Sequence, residues 1–225
     1  MKFKEFENVI SNARMNRYLK ATGKTKKAMT LYRFNLRLPQ EFFTLVSCFE
    51  IALRNAIDCH YSNVHGPDWL FSSAQDHGFL NHSNCGKTPQ IVKMALARLN
   101  PYSHNKLIAE MDFGFWRYLF ARHQFHSGGQ TLLTIFPNRP SSTLLQQYNH
   151  KFVFSELEKL NMLRNRIAHH EPICFANGLS LKDTKYARQH YDQILRFFQW
   201  MNINEYHLLY GLDHIERVAN EIDKL

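Results

Sequence analysis

Residues 152–170 read FVFSELEKLNMLRNRIAHH. Leu157, Leu160, Leu163 and Ile167 recur there at three- and four-residue spacing, which places them on one face of an α-helix. The same spacing recurs on either side. After Pro39, the residues Phe42, Phe43, Leu45, Val46, Phe49, Ala52, Leu53, Ala56 and Ile57 form an apolar set that predicts a helix over about 39–61, with proline in its first turn. Its opposite face carries Ser47, Glu50, Arg54, Asp58 and Tyr61. Further helices are expected from Thr88-Pro89 to near Asn100, over 103–125, over 181–201 behind a Ser180–Asp183 capping box, and over 204–223. Ser141-Ser142 is expected to cap the stretch that leads into 152–170. Asn177-Gly178 reads as a loop between helices, and no pair of alternating apolar runs flanks it as a hairpin would require. The expected fold class is all-α.

Composition sets outer bounds. The chain has 225 residues, 44% of them apolar and 21% charged, which is ordinary for a folded domain and excludes a disordered or collagen-like chain. Length allows one large domain or two small ones; residues 1–225 are read as a single domain. Cys48, Cys59, Cys85 and Cys174 form no Cys-x-x-Cys pair, so neither a zinc knuckle nor a redox motif is spelled out. The opening MKFKEFENVI lacks an apolar signal core, and no run approaches a membrane span. A cytoplasmic chain with reduced thiols, no membrane association and no cofactor is expected.

Charge is unevenly placed. The net charge is +9. Residues 1–37 hold ten basic and two acidic side chains, so nearly the whole excess lies there. Lys20, Lys24, Lys26 and Lys27 suit a basic arm that tracks phosphates, and RNA is the expected anionic partner. A solvated surface face is the plainer alternative. Gly23-Lys24-Thr25 and Gly86-Lys87-Thr88 are not phosphate-binding loops, because the upstream glycine is missing and no strand precedes either.

Chemistry concentrates in Leu163-Arg164-Asn165-Arg166-Ile167-Ala168-His169-His170-Glu171-Pro172. It contains Arg-x4-His, from Arg164 to His169. With 14 Arg and 13 His in the chain, that spacing arises by chance about once, so alone it is weak. Helix geometry adds weight. At about 100° per residue, Asn165 and His169 share a face turned away from the leucine stripe. Arg164 lies about 140° around from His169, within the swing of its long side chain. Pro172 is expected to end the helix at Glu171, with His169 and His170 in its last turn. An imidazole can shuttle a proton, and a guanidinium can hold a phosphate as charge builds on it. That pair suits phosphodiester cleavage. Scattered histidines give no metal-ligand spacing, so no metal site is expected.

This segment resembles the signature of the bacterial abortive-infection (Abi-like) proteins. Phe49-Glu50-Ile51-Ala52-Leu53-Arg54-Asn55-Ala56-Ile57, Gly66-Pro67-Asp68-Trp69-Leu70 and Met111-Asp112-Phe113-Gly114-Phe115-Trp116 fit the same family in order. The resemblance implies an all-α helical bundle of the HEPN superfamily with additional helices. It also implies a metal-independent endoribonuclease that works in phage defence or as a toxin, with Arg164, Asn165 and His169 as its catalytic residues. A homodimer is implied too, since such sites commonly form where two domains face each other. Glu50, Arg54, Asn55 and His170 are expected as supporting or RNA-contacting residues, although Glu50 and Arg54 at i, i+4 also suit a plain helix-face ion pair. Phe113, Phe115 and Trp116 read as core rather than as a base-stacking surface. A non-catalytic RNA-binding module, partnered by an antitoxin or a small RNA, and a helical interaction protein are the alternatives.

Overall fold

A computed structural model describes all residues, Met1–Leu225. It contains twelve α-helices and no β-strand: α1 (Phe3–Ile10), α2 (Asn12–Thr22), α3 (Thr25–His65), α4 (Trp69–Ser73), α5 (Thr88–Leu96), α6 (His104–Glu110), α7 (Phe113–Tyr118), α8 (Arg122–Ser127), α9 (His150–Ala168), α10 (Lys185–Trp200), α11 (Glu205–Leu208) and α12 (Ile215–Lys224). The all-α class is therefore observed. Two compact units are distinguished, Met1–Ser47 with Met162–Arg196 and Asn204–Leu225, and Cys48–Asn161 with Phe197–Ile203. Helices α3, α9 and α10 each contribute residues to both. No helix is long and apolar enough to cross a membrane.

In the first unit the basic N-terminal stretch is not a loose arm. It folds into α1, α2 and the start of α3, because apolar residues are interleaved with its charges. Phe6, Met15, Tyr18, Ala28, Leu31 and Tyr32 are buried. Their rings meet edge to face: Phe6 on Tyr32 at 5.5 Å, Tyr18 on Tyr32 at 5.2 Å and Tyr18 on Phe175 at 5.0 Å, a geometry that ring quadrupoles favour. Lys-bearing Gly23-Lys24-Thr25 is helix punctuation. Gly23 sits at φ +68° and its N–H closes on Leu19 O, ending α2 just before α3 begins.

Helix α3 starts fourteen residues before the expected proline start and runs for 41 residues. Pro39 lies inside it. A helical proline removes the bond to the carbonyl four residues back, here that of Asn35, at a cost of about 3 kcal/mol. Buried Leu31, Tyr32, Leu38, Phe42, Leu45 and Val46 on the flanking turns outweigh that, at about 1.5–3 kcal/mol for each large apolar side chain buried. Two positions of its stripe are also corrected. Phe43 is 65% exposed, whereas Tyr61, expected on the polar face, is fully buried.

Other boundaries shift for local reasons. The stretch expected as one helix over 103–125 is three, because Asp112 Oδ1 accepts the Phe115 N–H at 2.8 Å and caps a new start. Asn149, not Ser141-Ser142, caps α9, accepting from the Lys151 and Phe152 N–H groups. Helix α5 ends at Leu96, short of Asn100. Helix α10 begins at Lys185, four residues later than expected. The Ser180–Asp183 stretch instead belongs to a tight excursion. There Asn177-Gly178 turns the chain, with Gly178 at φ +71°, and Phe175 forms a single antiparallel bridge with Lys182. Gly211, at φ +73°, lies between α11 and α12, where one helix was expected.

The second unit is organised around aromatic side chains. Phe49 packs near Phe113, Phe197 and Phe198, and Tyr61 lies 4.8 Å from Trp69. Asp58 ties the Gly66–Leu70 segment down, accepting from Trp69 Nε1 at 2.8 Å and pairing with His104 Nε2 at 2.8 Å. Phe113, Phe115 and Trp116 are buried, as core residues should be. Gly128 is a close-approach site: a Cβ there would lie 2.4 Å from Tyr61 Oη, which is itself buried without a hydrogen-bond partner. Gly128→Ala is expected to destabilise the protein by about 1–3 kcal/mol, and Tyr61→Phe in the same chain to restore most of the loss. Denaturant unfolding midpoints of the two single variants and the double variant check this.

Candidate functional site

The C-terminal turns of α9 build the site. Leu163 is fully buried and fixes the rotation of this end of the helix. Ile167 is only half-buried. Arg164, Asn165 and His169 consequently face solvent. The side chains of Arg164, Asn165, His169 and His170 make no hydrogen bond or ion pair within the chain.

The helix stops at Ala168, so His169 and His170 lie just past its last turn rather than within it. His169 N–H still closes on Asn165 O at 2.9 Å. His170 then adopts φ +54°. Its N–H reaches Ile167 O at 3.1 Å, and Glu171 N–H reaches Arg166 O at 2.8 Å. These bonds make a Schellman-like end, with His170 at the left-handed position that glycine usually occupies. Histidine holds it at a cost of about 1–2 kcal/mol in backbone strain.

Side chains stabilise that end from outside. Arg166 Nη2 donates to Pro172 O at 2.6 Å, Nε lies 3.3 Å from Glu171 Oε2, and the guanidinium sits 4.5 Å over the Tyr186 ring. Buried Asn35 accepts the Ile173 N–H at 3.2 Å. Arg17 gives two N–H bonds to Leu179 O, at 3.2 and 2.7 Å, and stacks 4.4 Å over Phe175. Arg14 Nη2 donates to His170 O at 3.1 Å. Burial pushes the neighbouring Cys174 thiol up to about 12, so it packs as a neutral group. Of the two arginines in the Arg-Asn-Arg run, then, Arg166 is a structural tie and Arg164 is uncommitted.

A small apolar hollow of about 140 Å³ lies against Arg164, lined by Phe43, Val46, Ile167 and Ala168. Helical spacing assigns Phe43 to the core and so does not point to its place beside the site. Arg14 carries no such signal either. It counts toward the charge of residues 1–37, but nothing in the sequence marks its bond to a residue 156 positions away.

The other expected residues are spread over both units. Lys20, Lys24, Lys26 and Lys27 are exposed in the first unit, Lys27 donating to Leu225 O. Glu50, Arg54 and Asn55 belong to the second unit, where Arg54 Nε lies 3.4 Å from Asn55 Oδ1. That unit also has a cleft of about 570 Å³ whose lining includes Lys87, Asp112, Phe115, Tyr118, His123 and Gln124, and none of the expected site residues. No three His, Cys, Asp or Glu side chains converge as a metal-ligating group.

A family model described as Abi-like protein matches residues 1–174. No curated protein and no solved structure matches the chain.

The strained helix end makes a measurable prediction. His170→Gly relieves the left-handed strain but adds glycine's unfolded-state entropy, about 0.4–1 kcal/mol. The net expectation is a stabilisation of roughly 1 kcal/mol, or a melting temperature about 2–4 °C higher for a chain of this size. A calorimetric scan reads it directly, and a lower melting temperature would show that the His170 side chain contributes more than its backbone costs.

Proposed function

Because the chain belongs to the Abi-like protein family, whose members act in abortive infection, a bacterial defence against phage, we propose that it is the RNA-cutting component of such a response: a metal-independent endoribonuclease of the HEPN type. The observation that carries this reading is the set Arg164, Asn165 and His169, exposed and uncommitted at one helix end while the adjacent Arg166 is tied into the fold. Exposed and unengaged, these three side chains are open to a substrate in a way that Arg166 is not.

In the proposed reaction the RNA 2′-hydroxyl attacks the neighbouring phosphorus. His169 takes the hydroxyl proton or delivers one to the departing 5′-oxygen. Arg164 binds the non-bridging oxygens as negative charge builds on them. Asn165, one turn before His169, orients the phosphate. The nucleophile is already held beside the phosphorus, so the gain from proximity is intramolecular and no metal-bound water is required. DNA lacks that hydroxyl and is spared. Two copies of the chain facing each other through these helix ends would double the cationic groups at the site, and a homodimer in the cytoplasm is the proposed working form.

A second reading has its own support. Exposed Lys20, Lys24 and Lys26 suit an RNA-binding module without turnover, held with an antitoxin or small-RNA partner. Cleavage of single-stranded RNA in EDTA separates the two. The expected result is cleavage by the parent protein, a loss of about 10²–10⁴-fold in kcat for His169→Ala, a comparable loss for Arg164→Ala, and no cleavage of the matching DNA. Equal rates for His169→Ala and the parent would remove His169 from the chemistry. Retention of RNA without cleavage would favour the binding module.

A further inference from the structure

Four arginines lie on α9 or against the chain that follows it, and their engagement differs. Arg166 is held by Pro172 O, Glu171 and Tyr186. Arg17 is held by Leu179 O twice and by Phe175. Arg164 has no partner. Arg14 stands between these cases. It is exposed, and a single N–H, on Nη2, bonds the carbonyl of His170, the residue directly after His169. A guanidinium has five N–H donors, so most of the fork remains open. The open fork is thereby held at the end of α9 that carries Arg164, Asn165 and His169. A bond to a helix-end carbonyl is the usual use of an arginine here. It needs one donor, and a lysine would serve it equally well.

We infer that Arg14 is a phosphate-binding residue of the RNA site, gripping a phosphate next to the one that Arg164 and His169 engage. The inference rests on the endoribonuclease reading above and extends it to a residue 150 positions upstream of Arg164. The His170 carbonyl orients the guanidinium before substrate arrives, so little side-chain freedom is lost on binding. The planar fork then meets the phosphate oxygens in a bidentate manner. Lys20 is exposed on the last turn of the same helix and Lys24 comes just after it, so further cations lie within the same unit. On this inference Arg14 joins the basic N-terminal stretch to the cleavage site.

The test uses the full-length chain carrying His169→Ala, so that binding is read without cleavage, and a short labelled single-stranded RNA of mixed sequence. Adding Arg14→Gln keeps a donor for the His170 carbonyl but removes the charge and the fork. It should weaken binding roughly tenfold, the scale of one charge-assisted hydrogen bond, and flatten the slope of log K against log salt by about 0.7, the single-strand value for one phosphate contact. Arg14→Lys should recover the slope but only part of the affinity. In the cleaving protein, Arg14→Gln should raise KM far more than it lowers kcat. An unchanged affinity and slope for Arg14→Gln, with the parent protein still cutting RNA, overturns this inference and leaves the nuclease reading standing. A loss of binding matched by a fall in melting temperature, with both restored in full by Arg14→Lys, overturns it in favour of a structural clamp. A parent protein that neither binds nor cuts RNA overturns both.

Discussion

The bond from Glu171 N–H to Arg166 O closes α9 and sets the course of the chain beyond it. It is possible only because His170 turns into the left-handed region. One residue of continued right-handed helix would carry His169 into a regular turn and would send Pro172 and Ile173 elsewhere. With the turn in place, Ile173 N–H meets Asn35 and Phe175 reaches Tyr18. Arg166 meets Pro172 O, and Arg14 meets His170 O. Each of these contacts is modest by itself, on the order of 1 kcal/mol net for a hydrogen bond. Together they hold a non-glycine residue in a conformation that it would leave if free. Such backbone strain persists only where the surroundings over-determine it.

The helical class is legible in the sequence because apolar period survives any error in boundary. Leu157, Leu160 and Leu163 are buried as their spacing requires. Ends are less legible, since they depend on single hydrogen bonds. Asp112 and Asn149 cap helices by side-chain bonds that compete with several equally plausible neighbours. Pro39 illustrates the opposite case, where a strong local signal for a helix start is overruled by apolar burial on both sides of it. Tyr61 and Phe43 exchange their expected environments for a related reason. Period identifies a face, but only tertiary packing decides how wide the buried part of that face is.

The candidate site divides along the same line. Arg164, Asn165 and His169 can be singled out from spacing, because their shared exposure is a property of one helix. The distinction between Arg164 and Arg166 cannot. Both are arginines on the same turn, and only the path of the chain after Pro172 gives Arg166 its carbonyl, its carboxylate and its aromatic ring. The basic N-terminal residues are a further step removed. Their charge is evident from composition, yet their folding into α1, α2 and α3, and the docking of α2 on the end of α9, depend on contacts spanning most of the chain.

That docking has a consequence for how the protein comes into being. Arg14 and His170 are separated by 156 positions, and the unit that holds them is assembled from three stretches of chain. At synthesis rates of 5–20 residues per second, roughly 8–30 s pass between the emergence of one partner and the other. Through that interval α2 exists without the helix end that it docks on. A contact of such long range also forms late because closing the loop costs entropy before any contact repays it. If the chain cuts RNA as proposed, it would be made beside its own messenger in a form whose site is still in pieces, and the order of translation would delay that activity until most of the protein has been built.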